Sequence, residues 1–136
     1  MGKEIDRCGF TLVELMAVIM IVAILAAVTV PLMRGRIDAA KWSEGKTMMG
    51  TIATALRAYG AEKGDTGTWP PSLVQLGFVA GDLTSTYFVD ADFTWANAAY
   101  DSTLTPSLTY TIRCQPSTTT LVPATVTLTH LGVWAP

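Results

Sequence analysis

Residues 15–33 read LMAVIMIVAILAAVTVPLM, a run without one charge. As a helix it rises about 28 Å, close to the roughly 30 Å hydrocarbon core of a bilayer. An apolar helix with no polar stripe belongs in lipid or in a dry protein core. The chain has 136 residues, room for one small domain and an extension. What remains after the apolar block is too small to wrap a core around it. Half the residues are hydrophobic and 15% are charged, and the apolar excess is concentrated in this block. The chain therefore reads as a membrane-tethered or polymerising protein with a separate soluble part.

A secretory signal peptide would carry a shorter apolar stretch followed by a small-residue cleavage site. Here the run passes without such a site into Arg34, Gly35 and Arg36, and then into further helix. Lys3, Glu4, Asp6 and Arg7 all precede the block, with Gly9 at the border. Charge bias alone does not fix orientation. Lys3 and Arg7 lie before the span and Arg34, Arg36 and Lys41 after it, so the positive-inside rule by itself would turn the head inward.

At the border the residues read Cys8-Gly9-Phe10-Thr11-Leu12-Val13-Glu14. A short charged leader, a glycine, a phenylalanine, and a glutamate four positions on, ahead of a charge-free helix, resemble the type IV pilin and pseudopilin family. The resemblance covers about residues 1–63, and the head is similar only in general layout. It implies that a membrane aspartyl peptidase cuts between Gly9 and Phe10 and methylates the new amino group of Phe10. It implies that Glu14 pairs with the N-terminal amine of a neighbouring subunit. It also implies that Pro31 marks where the helix kinks or melts inside a filament. The partners it implies are other copies of the chain, the prepilin peptidase, the membrane platform of an assembly machine, and the bilayer before assembly. The implied location is the cytoplasmic membrane, single-pass with the head outside, and then an extracellular or periplasmic filament.

The residues support these roles on their own terms. Glycine before the cut lets an extended backbone enter a narrow active site. Glu14 is a lone carboxylate at the start of an apolar helix, costly in lipid, and a partner cation would offset that cost. Pro31 removes a backbone donor and crowds the preceding turn. The β-branched Val28, Thr29 and Val30 weaken the helix just before it. Residues 23–31 are thus the stretch expected to unwind in a polymer.

The expected fold class is α+β: a long N-terminal helix, with a protruding hydrophobic half and an amphipathic half, packed against a small antiparallel sheet. The segments expected are a cleaved leader (1–9), a membrane and filament-core helix (10–33), the amphipathic half (34–63) and a β-rich head (64–136). The last two form one globular domain. From residue 10 to about 63 one helix would be about 80 Å long. Its amphipathic stripe is read as Ile37, Met48, Ile52, Leu56 and Tyr59, widened by Met49, Ala53 and Ala55. Gly45, Gly50 and Gly60 weaken the helix, and Gly60, Gly64, Asp65, Gly67, Pro70 and Pro71 end it. Residues 69–78 predict a loop and a short helical turn. Residues 87–95 suggest a strand or two around Asp90 and Asp92. Residues 108–114 and 124–128 alternate as half-wet strands, and a short strand is expected around Val133 and Trp134 after a turn at Gly132.

No catalytic constellation is visible, so no enzymatic activity, cofactor or metal site is expected. His130 is the single histidine and reads as a strand-end residue near a turn. Asp82, Asp90, Asp92 and Asp101 match no calcium-loop spacing and read as turn caps. With Cys8 in the leader, Cys114 would be left without a disulfide partner and reads as a small buried hydrophobe. A net charge of −2 and few head cations beyond Lys63 and Arg113 give no strong nucleic-acid signal. The aromatics of the long helix, Phe10, Trp42 and Tyr59, form no stripe for electron transport. The expected function is a structural pilin subunit that polymerises through its N-terminal helix. A pseudopilin of a type II secretion or DNA-uptake apparatus shares the same N-terminal physics. A minor pilin with an adhesive or binding head is the alternative of another class.

Overall fold

A computed structural model of the chain describes residues 9–136. It contains one long helix, α1 (Leu12–Lys63), and a four-stranded antiparallel sheet of β1 (Phe93–Tyr100), β2 (Leu108–Cys114), β3 (Val126–Thr129) and β4 (Trp134–Ala135). The strand order β1-β2-β3-β4 is the order in sequence, a simple meander. The fold is α+β, as the sequence predicts. The chain divides into a first unit ending at Arg36 and a second unit, Ile37–Pro136.

In the second unit, residues 37–63 of α1 lay one face on the sheet. That face is Trp42, Gly45, Met49, Ile52, Ala53, Leu56 and Gly60, spaced three and four residues apart with Ala53 filling in. It differs from the expected stripe at its start, because Ile37 is 46% exposed and the seam opens at Trp42. The sheet supplies Phe93, Ala98, Tyr110, Ile112, Cys114, Val126 and Leu128, and the connections supply Leu83, Phe88 and Leu121. Phe88 sits between Trp42 and Phe93, with ring centroids 5.4 and 6.0 Å away. Two helix glycines are points of close approach. A Cβ at Gly45 would lie 2.8 Å from the tip of the Phe88 ring, and one at Gly60 would meet Tyr100 at 3.4 Å.

β2 has the predicted bounds, and Tyr110, Ile112 and Cys114 point to the core. β3 begins at Val126 instead of Ala124, which is exposed. The strand expected over 87–95 is corrected. Asp90-Ala91-Asp92 form a 3-10 turn, and β1 starts only at Phe93 and runs on to Tyr100. Its alternation breaks in the middle. Phe93 faces inward, Ala96 and Asn97 both face out, and Ala98 returns to the core. The pairing with β2 shifts between Ala96 and Ala99, and Asn97 takes φ 53°, so one extra residue bulges the strand and reverses its phase.

Between helix and sheet, residues 72–78 close a single hydrogen-bonded turn. The Ser72 N–H donates to Gln75 Oε1 (2.7 Å), and the Gln75 N–H donates to Ser72 Oγ (3.3 Å). This reciprocal pair is the side-chain arrangement of a helix start. Trp69 and Trp95 tie the connection down through indole N–H bonds, 3.0 Å each, to the carbonyls of Gly64 and Pro71. Trp42 does the same for the loop before β3, donating to the Pro123 carbonyl at 3.0 Å.

Candidate functional site

The apolar N-terminal segment is the strongest candidate site. Residues 1–8 of the expected leader (1–9), Cys8 among them, lie outside the described residues. Gly9 and Phe10 precede the helix, and both are exposed. The helix begins where Thr11 caps it. The Glu14 N–H donates to Thr11 Oγ1 (3.2 Å) and the Leu15 N–H to the Thr11 carbonyl (3.2 Å). Thr11 was not singled out from the sequence, although Thr11-Leu12-Val13-Glu14 has the spacing of a capping box. Glu14 falls in the first turn, where a carboxylate complements the positive end of the helix dipole. Its side chain is exposed.

From Leu12 to Met33 the helix buries no large side chain in this unit. Leu15, Met16, Ile19, Met20, Ile24, Leu25, Val28 and Leu32 are all more than half exposed. The best window has a mean hydropathy of 2.8, which makes α1 long and apolar enough to cross a membrane. A shallow depression in this surface is floored by Ala17 and Ala23 and walled by Val13, Met16, Ile19 and Met20. Pro31 lies inside the helix, and α1 continues through it. Just before it, Thr29 Oγ1 donates to the Leu25 carbonyl (2.8 Å), a back-bond that slightly weakens and bends helices. The structure thus places Phe10, Glu14 and Pro31 along one apolar segment and does not bring them together.

In the head, the aspartates are turn organisers. Asp90 accepts from the N–H groups of Gly81 (2.6 Å) and Leu83 (3.0 Å) and from the Thr84 hydroxyl (3.1 Å). These donors, the Gly81 N–H above all, hold its carboxyl below the ordinary 3.8. Asp92 is buried and accepts from Val89 N–H (3.0 Å) and Ser117 N–H (2.9 Å), pinning the β2–β3 loop to the turn before β1. Asp101 caps its own turn through Thr103, whose hydroxyl and N–H lower its carboxyl in that order. Asp82 receives the Val79 N–H at 2.7 Å. No group of three or more metal-ligating side chains occurs among the described residues. Cys114 is a free, buried thiol, and burial pushes it up to about 12, with the Asp92 charge adding to the effect. His130 follows β3 and meets Tyr110 edge-on at 6.3 Å.

Comparison with known proteins agrees with this geometry at the N-terminus. The prokaryotic N-terminal methylation motif matches residues 6–30. The chain is 35% identical to fimbrial protein EcpC of Eikenella corrodens over 80 residues, 59% of this chain and 50% of that protein. It is 47% identical to type II secretion system core protein G of Pseudomonas aeruginosa over 54 residues, 40% of this chain and 38% of that protein. The matched region spans half or less of the length of these relatives. No solved structure matches. The motif falls on the capped start of α1 and the exposed apolar surface behind it, and the two relatives come from a fimbria and a secretion system. The chain thus carries a prokaryotic N-terminal methylation motif and is similar, over the matched part, to a fimbrial protein and to a type II secretion system core protein.

Proposed function

We propose that this chain is a structural, non-enzymatic subunit that polymerises through its N-terminal helix into a type IV pilus-like filament. The observation that carries the reading is the exposed apolar surface over residues 12–33, in which Glu14, near its start, is the single charged residue. Such a surface is stable in two settings, acyl chains or other copies of itself. In this reading a prepilin peptidase cuts between Gly9 and Phe10 and methylates the Phe10 amine. The subunit waits as a single-pass protein of the cytoplasmic membrane with its head outside. Glu14 then pairs with the Phe10 amine of a neighbouring copy, which offsets the cost of a carboxylate in an apolar environment. An assembly platform draws the subunit from the bilayer, and residues 23–31, ahead of Pro31, unwind to fit the lattice. Heads form the outer surface.

A second reading is favoured by one observation. The higher identity, 47%, is to a core protein of a type II secretion system, which points to a pseudopilin in a short periplasmic filament. Electron microscopy of sheared cell-surface material, with peptide identification of its subunit, separates the two readings. Long surface fibres containing this chain favour the pilus, and their absence in cells that assemble the chain favours the pseudopilus.

The assembly role is tested by Glu14→Ala. Membrane insertion should be unchanged, because removing a charge from an apolar segment does not hinder it. Polymer yield should collapse. Wild-type yield from the variant rules out the pairing.

A further inference from the structure

The second unit carries a cleft unconnected with the N-terminal segment. It is an open cleft of about 390 Å³ lined by Arg57 from α1, Tyr110 from β2, His130 after β3, and a mixed wall in which Leu104, Leu108 and Leu131 flank Thr105 and Ser107. Tyr110 is 1% exposed, and its hydroxyl is a buried donor with no hydrogen-bond partner among the described residues. Buried polar groups are normally paired, so this one marks a place where an acceptor is missing. The Arg57 guanidinium lies over the Tyr110 ring, 5.8 Å from its centroid. Among the described residues no carboxylate lies in salt-bridge range of Arg57. Burial raises the Tyr110 phenol above its ordinary value, and the Arg57 charge works against that rise, so the cation and the hydroxyl sense one another. Leu104 and Leu131 are well exposed at the rim.

We propose that this cleft binds a carboxylate carried on a short apolar stem. The Tyr110 hydroxyl donates to one carboxylate oxygen, Arg57 holds the charge, and the leucines cover the stem. A guanidinium fork matches a carboxylate or a phosphate in shape. Arg57 is the one permanent cation in the lining, which suits a monoanion better than a phosphate dianion, whose second charge would lack a matching fixed charge. Arg57 is itself exposed, so its side chain is the wall that moves to admit the ligand to the buried hydroxyl. The ligand is either a free small acid or an acidic side chain presented by another protein chain; the chemistry is the same.

The test uses the full chain in detergent micelles, with labelled tyrosine rings and arginine side chains followed by NMR. The probe is 4-methylpentanoate, and 4-methylpentanamide is its neutral control. The acid should give saturable shifts at Tyr110 and Arg57, with the amide weaker by about tenfold or more. Arg57→Gln, at an exposed position, should weaken acid binding by about tenfold with the near-ultraviolet spectrum unchanged. Tyr110→Phe should weaken it several-fold while folding as well as the wild type, since it removes the unserved hydroxyl. N-acetylglutamate N-methylamide serves as the protein-borne form. Whichever of it and the free acid binds more tightly identifies the source, and both results keep the site. No saturable shift, equal binding of acid and amide, or binding untouched by Arg57→Gln overturns the proposal. The binding is read on residues of the second unit alone, so its outcome is independent of whether the protein forms filaments.

Discussion

Two glycines of the same helix should respond to alanine in opposite directions. In a helix interior, glycine to alanine gains about 1 kcal/mol of intrinsic helix stability. At Gly50 nothing lies within 4 Å of the new Cβ, so that gain should be realised almost in full. At Gly45 the Cβ would sit 2.8 Å from the Phe88 ring tip and 3.0 and 3.1 Å from its two flanking carbons. The ring has nowhere to go. Phe88 is 1% exposed and is held between Trp42 and Phe93. Forcing a methyl group into such a core costs about 1–3 kcal/mol, which exceeds the helix gain. Gly45→Ala should therefore destabilise the second unit by about 1 kcal/mol net, and Gly50→Ala should stabilise it by a similar amount. A separation of about 2 kcal/mol corresponds to roughly 8–16 °C in midpoint for a unit of this size. Thermal unfolding of both variants in detergent, followed by near-ultraviolet circular dichroism of the buried Trp42, reads this directly. A Gly45→Ala midpoint equal to or above that of Gly50→Ala would refute the close approach of helix and Phe88.

Two more outcomes are expected in the head. The carboxyls of Asp90 and Asp101 lie below 3.8 in the folded chain, so the stability they contribute is complete above that value and is lost as pH falls through the folded values. Hydrogen exchange at Gly81 and Leu83 should accelerate as pH drops from roughly 5 to 2, beyond the intrinsic pH effect, and Asp90→Asn should flatten the response; protection unchanged across that range would count against the cap. Cys114, buried and raised to about 12, should resist alkylation at mildly alkaline pH until denaturant is added, and rapid native labelling would contradict its burial.

How far the sequence could be read depended on which force set each element. The long helix and β2 were legible because their burial follows one unbroken period. Nineteen residues without charge allow nothing but a lipid-like or self-packed helix, and Leu108, Tyr110, Ile112 and Cys114 alternate without interruption. β1 was misplaced because two local devices override its pattern. Asp90 and Asp92 draw the chain into a 3-10 turn, and the bulge at Asn97 reverses the phase of the strand's second half. The helix seam opens at Trp42 and not at Ile37, and its pattern is hidden in the sequence because Gly45, the next seam position, carries no hydrophobic signal. Gly45 and Gly60 look like helix breakers in a sequence, yet here their missing side chains admit Phe88, Tyr100 and Leu108. At the N-terminus, the border motif was legible as chemistry, whereas the cap that Thr11 provides was hidden by the apolar residues around it. The Tyr110 cleft had no sequence signature, because Arg57, Tyr110 and His130 are brought together only by the packing of helix on sheet.

The central claim is that this apolar helix leaves a bilayer for a polymer after its leader is removed. Intact mass spectrometry of the subunit recovered from the polymeric fraction tests it most directly. The account predicts a chain that begins at Phe10 and carries one added methyl group. A polymer built from chains that keep residues 1–9, or membranes in which the trimmed chain is never found outside the monomeric fraction, would contradict it.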